Sequence, residues 1–339
     1  MSKVVLDALG GDHAPQEVVA GLAMALERKF ARPDQVLLTG PRDRVLQELA
    51  ARGLGAAGIE VHDAPDVLSG DESPTDAMRK KPKNSIAVGI GLVKQGLGGA
   101  FISAGSTGTV VAAATLGLGC LEGIRRPAIG AIIHGEKHPF LVLDVGANPM
   151  PKAHHLAQYA LMGSAYYRGT FDVAEPNVGI LNIGSEELKG NPLVREARAM
   201  MKQLPIRFTG NVEGVEVFSG DCHVIVADGF TGNVLLKVSE GVAEYLLRQM
   251  FGLMKQAGVD GAAMQKVQKG ILPRVDFSEY GGALLLGVDG VVTICHGRSR
   301  APAFANAIRF ALRALDAEVN RHIVQVARTV ALPSAEPNA

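Results

Sequence analysis

The sequence predicts a three-layer α/β/α protein, with helices on both faces of a mostly parallel sheet. Three observations carry that prediction. Short apolar runs of strand length alternate with stretches of helical spacing along nearly the whole chain, the pattern of a sheet covered on both sides. Glycine is enriched, at 41 of 339 residues, against a typical ~7%, and it gathers where apolar runs end. Hydrophobic residues make up 47% and charged ones 20%, a mixture that folds around a core.

The elements follow in order. Residues 3–9 are the first strand, and Pro15 opens a helix to about residue 29, because proline suits a first helical turn. Residues 35–39 are a second strand, Pro41 opens a second helix, and 59–62 are a third strand. Helical patterns cover 75–81 and 85–95, broken at Pro82; a strand at 100–103 and an Ala- and Val-rich helix at 107–116 come next. Residues 128–133 and 140–144 are consecutive apolar runs, read as neighbouring antiparallel strands. Then come a helix at 152–167, a strand at 178–182, a helix at 192–203, and strands at 208–210 and 224–228. Helices at 233–256 and 261–271, a strand at 291–294 and a closing helix at 302–328 complete the chain. Residues 1–332 are expected to form one domain and 333–339 a polar tail, since no repeat or linker divides the chain.

Charge excludes some classes of function. Lys+Arg and Asp+Glu are both 34, so nothing global favours nucleic acid, and the absence of Trp weakens base stacking. Cys120, Cys222 and Cys295 are far apart and form no CxxC, so neither a metal site nor a disulfide framework is expected, and the compartment is read as reducing and cytosolic. The first residues show no signal-peptide apolar region, and apolar runs such as 110–121 are too short to span a bilayer.

Five apolar runs end alike. They close as Asp7-Ala8-Leu9-Gly10-Gly11-Asp12, Ser103-Ala104-Gly105-Ser106-Thr107-Gly108, Asp144-Val145-Gly146-Ala147-Asn148, Asn182-Ile183-Gly184 and Asp228-Gly229-Phe230-Thr231-Gly232-Asn233. In open α/β sheets ligands sit beyond the carboxyl ends of strands. Glycine lets backbone N–H groups approach an anion, and helices starting at Thr107 and Asn233 add positive dipole ends. A single such segment is more often a turn or cap; five at strand ends predict a cleft for a phosphate-like anion. No P-loop or dinucleotide fingerprint is present, so ATP and NAD are not supported. Of His13, His134, His138, His154, His155 and His296, only His13 and His296 adjoin these loops; the others, and the cysteines, read as core or surface residues.

The segment Val5 to Pro15, Arg79-Lys80-Lys81, the loops above, Lys189-Gly190-Asn191, Tyr280-Gly281-Gly282-Ala283 and His296-Gly297 resemble, in order, the bacterial phosphate acyltransferases of phospholipid synthesis. One departure is Ser106, where that family is expected to carry Asn. The resemblance implies a fold similar to phosphate acetyltransferases and isopropylmalate dehydrogenases. It implies transfer of a fatty acyl group from acyl-[acyl carrier protein] to inorganic phosphate, a homodimer, and no metal or organic cofactor. The acyl phosphate product would feed a membrane glycerol-phosphate acyltransferase. Two alternatives stay open: an acyl-CoA-dependent phosphate acyltransferase, and a non-catalytic regulator that binds acyl carrier protein or membrane.

Loop chemistry then assigns roles. Gly105, Ser106, Thr107 and Gly108, with Arg79 or Lys80, are expected to hold phosphate. Asp228, Thr231, Asn233 and Asn182 are expected at the thioester. Asp7, Asp12, His13, Asp144 and Asn148 are expected to orient them, with capping an equal reading for the aspartates. Lys81, Lys83 and Lys189 are expected to dock an acidic carrier protein. The segment 245–272, with Tyr245, Leu246, Leu247, Met250, Phe251, Leu253, Met254, Ile271 and Leu272, is expected to meet either a second subunit or a membrane surface as a peripheral contact.

Overall fold

A computed structural model of the chain describes residues 2–69, 72–275 and 277–330. The first half alternates strand and helix as the spacing predicts. In order it runs β1 (Val4–Asp7), α1 (Gln16–Glu27), β2 (Val36–Gly40), α2 (Arg42–Ala51), β3 (Glu60–Asp63), α3 (Pro74–Lys80), α4 (Ser85–Lys94), β4 (Ala100–Ser103) and α5 (Thr107–Gly117). The second half continues with β5 (Ala128–His134), β6 (Pro139–Leu143), α6 (Ala153–Phe171), β7 (Asn177–Asn182), α7 (Pro192–Met201), β8 (Arg207–Glu213) and β9 (Val224–Val226). It ends with α8 (Gly229–Gln256), α9 (Gly261–Val275), β10 (Ala283–Leu286), β11 (Val291–Ile294), α10 (Ala301–Asp316) and α11 (Val319–Thr329).

Among the described residues the strands form one 11-stranded sheet in the order β3-β2-β1-β4-β11-β10-β5-β6-β9-β7-β8. Strands β3 to β11 of that order are mutually parallel, and so are β6, β9, β7 and β8. Between the two blocks β10 pairs antiparallel with β11 and with β5, and β5 pairs antiparallel with β6. Three reversals mean that the blocks run in opposite directions. The register of β5, with Ala128 to Gly130 beside β10 and Gly130 to His134 beside β6, staggers the blocks so that their carboxyl ends approach a common line across the middle of the sheet.

The central strands β1, β4 and β11 are buried at every position, and successive side chains enter opposite cores, as two covered faces require. Val4 and Leu6 join the core beneath α1, α6 and α10, whereas Val5, Ile129 and Val142 join the core beneath α4 and α5. No helix among the described residues is long and apolar enough to cross a membrane.

Four expectations need correction. Strand β10 was not anticipated; Gly287 to Gly290 is the turn between two antiparallel strands, inside what reads as one apolar stretch. The strand expected at 208–210 extends over Arg207–Glu213, paired with β7. The helix expected from Asn233 begins at Gly229, because the Asp228 side chain caps it by accepting from the Thr231 N–H. The single closing helix is two, separated where Glu318 turns to a positive φ of 48°. The tail at 333–339 lies outside the described residues.

Candidate active site

The site is built outward from β1. Its last residue, Asp7, is buried and accepts hydrogen bonds from the Leu9 N–H at 2.9 Å and the Ser103 hydroxyl at 2.6 Å. Ser103 ends the neighbouring parallel strand β4, and its oxygen accepts from the Gly105 N–H at 3.0 Å. A relay of carboxylate, hydroxyl and backbone amide thus joins the loops after β1 and β4. The loops touch closely: a Cβ on Gly10 would lie 2.7 Å from the Ala104 nitrogen. Burial raises the pKa of Asp7, partly countered by the Ser103 and Ser85 hydroxyls and the Leu9 N–H.

These loops form one wall of a cleft of about 1330 Å³. The floor is Ile129, Ala131 and Ile132 of β5; the remaining walls are the loops after β6 and β11, Gly281 and Gly282 before β10, and one face of α8. Among the predicted residues, Asp7, Asp12, Gly105, Ser106, Thr107 and Asn233 line it.

Asp144 and Asn148 lie beneath the lining. The Asp144 carboxylate accepts from the backbone N–H groups of Ile129, Gly146, Ala147 and Asn148, at 2.7 to 3.1 Å, and from the Asn148 amide at 3.2 Å. The Asn148 carbonyl in turn accepts from the Gly229 N–H at 2.9 Å. This loop therefore seats the first turn of α8. A Cβ on Gly232 would fall 1.9 Å from the Asp144 carbonyl oxygen, so only glycine permits that seating.

Asp228 and Thr231 engage each other: the carboxylate accepts from the Thr231 N–H at 2.9 Å and hydroxyl at 2.7 Å. Asn233 stands one turn further along and is exposed, facing the cleft near Gly146.

Other predicted residues stand apart from the lining. Asn182 donates to the Lys189 carbonyl at 3.1 Å and accepts from the Ile183 N–H at 2.8 Å, holding its own loop. Gly108 abuts Pro74. Arg79 and Lys80 are exposed on α3 and share Asp76. The Lys81 ammonium contacts Glu72 and donates to the Val67 carbonyl at 2.8 Å, while Lys83 gives its backbone N–H to Asp66. Lys189 lies 3.9 Å from Glu186. His13 is half-exposed beside the cleft.

Sequence reasoning missed most of the cations. Arg44, Lys237, Arg298 and Arg300 line the cleft, as does His296. Each charged group has a local tie. Lys237 pairs with Glu240 at 3.0 Å, Arg298 with Glu244 at 3.4 Å and Arg300 with Glu17 at 3.6 Å, while Arg44 donates to the Ala14 carbonyl at 3.0 Å. Burial, then nearby Lys237, lowers the pKa of His296, favouring neutral imidazole. The run Arg298-Ser299-Arg300 directly after His296-Gly297 was the available clue; Arg44 reads as an ordinary helix-surface residue and is brought in by the fold. Cys295 also lines the cleft, but its thiol contacts the Gly281 carbonyl at 2.9 Å and burial pushes its pKa up to about 12, which disfavours the nucleophilic thiolate. Among the described residues no three His, Cys, Asp or Glu side chains group as metal ligands.

The arrangement offers fixed backbone donors, a capped helix N-terminus and an apolar floor in one cleft. Fold and cleft define an α/β protein of the phosphotransacetylase architecture. The crystal structure of a phosphotransacetylase from Streptococcus pyogenes superposes with a TM-score of 0.63 at 17% identity, covering 93% of this chain and 94% of that one. A 4-hydroxythreonine-4-phosphate dehydrogenase from Klebsiella pneumoniae shares the fold at a TM-score of 0.54 and 15% identity, covering 96% and 99%. A family model described as fatty acid synthesis protein matches residues 2–322, and the chain belongs to that family. It is similar to the phosphate acyltransferase of Heliobacterium modesticaldum, with 44% identity over 95% of this chain and 97% of the relative. Family membership makes it an enzyme of the acyltransferase class.

Proposed function

We propose that the chain transfers a fatty acyl group from an acyl carrier protein thioester to inorganic phosphate, releasing acyl phosphate for a downstream membrane glycerol-phosphate acyltransferase. The observation that supports this best is the convergence of the Gly10–Asp12 and Gly105–Thr107 loops on the start of α8 in one cleft. Phosphate is nucleophilic at neutral pH, so the protein needs only to hold and orient it and to stabilise negative charge. A phosphate oxygen attacks the thioester carbonyl carbon, the carbonyl oxygen becomes an oxyanion, and collapse breaks the C–S bond to release the carrier's thiolate, which takes a proton from water. Ser106 and Thr107 hold the phosphate, with Gly105 fixed through Ser103 by Asp7. Asn233 donates to the oxyanion from the first turns of α8, whose geometry Asp228 and Thr231 set. The cations lining the cleft, Arg44, Arg298 and Arg300, are exposed and support docking of an acidic carrier more directly than Lys81, which is only partly exposed and off the lining.

The test is incubation with phosphate and either a carrier-protein thioester or acyl-CoA, trapping acyl phosphate with hydroxylamine. Hydroxamate from the carrier-protein donor and little from acyl-CoA is expected. Equal yields point to a CoA-dependent enzyme, and no product with retained carrier binding points to a non-catalytic regulator.

A second reading concerns the hairpin of α8 and α9. Val234, Val238, Val242, Tyr245 and Leu246 are exposed on α8, three to four residues apart up to Tyr245, and Leu253 is exposed two turns further on. That spacing suits a helix–helix seam between two copies of the chain, with the tip around Leu253 at a bilayer surface. Val238→Glu should then give monomers in sedimentation, and Leu253→Glu should weaken liposome binding while the dimer persists. Loss of the dimer in Leu253→Glu assigns the tip to the subunit interface instead.

A further inference from the structure

We infer that the apolar wall between α8, α9 and β5 seats an unbranched alkyl chain, and that Ala243 sets the chain length it accepts. The inference rests on the proposed acyl transfer and adds where the acyl tail lies. Of the α8 residues lining the cleft, Leu236, Ala243 and Leu247 are seven and four residues apart and so share one helix face. Ile129 and Ala131 of β5 join the same core cluster that Leu236 packs against, and Leu272 of α9 also lines the cleft.

The charged residues on the same stretch are tied off along one edge, Lys237 to Glu240 and Glu244 to Arg298. The α8 side of the cleft therefore carries an apolar row beside a row of paired charges. Backbone donors and hydroxyls stand at the glycine loops, where Leu9, Ile86 and Val145 also line the cleft, and Leu236, Leu247 and Leu272 carry the apolar lining onto the α8–α9 hairpin. From Asn233 to Leu247 the helix rises roughly 21 Å at ~1.5 Å per residue, enough for a long tail lying parallel to it. A ligand whose anionic or reactive head sits at the glycine loops can lay an alkyl tail along the Leu236, Ala243 and Leu247 row.

Ala243 is the small side chain between two leucines on this wall, and only half-buried, so the wall recedes there. A larger residue at that point shortens the groove without touching the glycine loops. Leucine forms helix almost as well as alanine, so the substitution does not threaten α8.

Displacement of a fluorescent fatty acid by saturated fatty acids of increasing length tests the seat without requiring turnover. For the native chain, affinity should rise roughly fourfold per added methylene until the groove is full and then level off. Ala243→Leu should move that plateau to shorter chains and spare the short ones. Gln249→Leu, on an exposed position off the lining, should leave the curve unchanged. Hydroxylamine trapping with thioesters of the same lengths should show the same break in kcat/KM. Equal weakening at every length, or an unmoved plateau in Ala243→Leu, overturns the assignment. A native chain that shows the length-dependent binding yet forms no acyl phosphate would retire the proposed reaction and keep the seat. Acyl phosphate formed with an unaltered length profile in Ala243→Leu would do the reverse.

Discussion

The loops after β1 and β6 begin with the same signature, a strand-ending aspartate followed within three residues by glycine, and they do different work. Asp144 is enclosed by five donors from four residues. Nothing of its carboxylate is left for a ligand, and it shapes the ground on which α8 stands. Asp7 accepts from the Leu9 N–H and the Ser103 hydroxyl, has the Ser85 hydroxyl and the Gly10 N–H beside it, and lines the cleft. The contrast lies in placement: one carboxylate stands on the lining and the other beneath it. The first loop is a wall of the site, and the second is its foundation.

If that division is right, damage to the foundation should appear in stability and damage to the wall in rate. Asp144→Ala leaves several buried N–H groups without acceptors, each worth ~1–3 kcal/mol. It should lose more than about 4 kcal/mol in denaturant unfolding, and a near-native midpoint would break the comparison. Asn233→Ala comes next. Because Asp228 rather than Asn233 caps α8, the variant should keep its unfolding midpoint while kcat falls roughly 10²–10³-fold with little change in donor KM. A native kcat removes Asn233 from the chemistry. Asp228→Ala should be milder, losing about 0.5–2 kcal/mol as a cap, measured on the same preparation.

The smallest effect is one of pH and has opposite signs in two places. Burial raises Asp7, so the stability linked to its protonation is full below the ordinary value of 3.8 and is lost as pH rises through its folded pKa. Asp7→Asn should remove that loss, and its midpoint relative to native should improve from pH ~4 upward. His223, stacked on His138 with centroids 4.2 Å apart, is lowered to about 4 by burial and then by that neighbour. Its contribution is present above the ordinary 6.5 and is lost as pH falls toward 4. His223→Asn should flatten the acid limb of the stability curve, and an unaltered limb would assign acid sensitivity elsewhere.

Much of this was legible because apolar periodicity reports local structure. The alternation in the first half, the antiparallel relation of β5 and β6, and the glycine loops all follow from residues near one another in sequence. The opposed blocks were not legible, since the reversal depends on β10, hidden in the nearly continuous apolar stretch Ala283 to Ile294. The break between α10 and α11 carries no glycine or proline, only Glu318 at a positive φ. At the site, loop residues with hydroxyls and amides were visible, whereas Arg44 on α2 and Lys237 on α8 reach the cleft by tertiary placement alone. Arg79 and Lys80 drew attention as a basic run, and their common neighbour Asp76, three and four residues earlier on α3, was the local clue that they face solvent.

The seating of α8 has a consequence for how the chain withstands genetic change. Of its 28 residues only Gly229 and Gly232 are buried, and both abut the loop that Asp144 holds. In a library of all single substitutions, those two positions should admit almost nothing, while exposed positions of α8 outside the Val234, Val238 and Val242 row drift freely as long as helix is kept. Drift of that kind lets the outer face acquire new neighbours while the inner face stays seated on the loop that Asp144 holds. The helix can in this way diversify its company without renegotiating its chemistry.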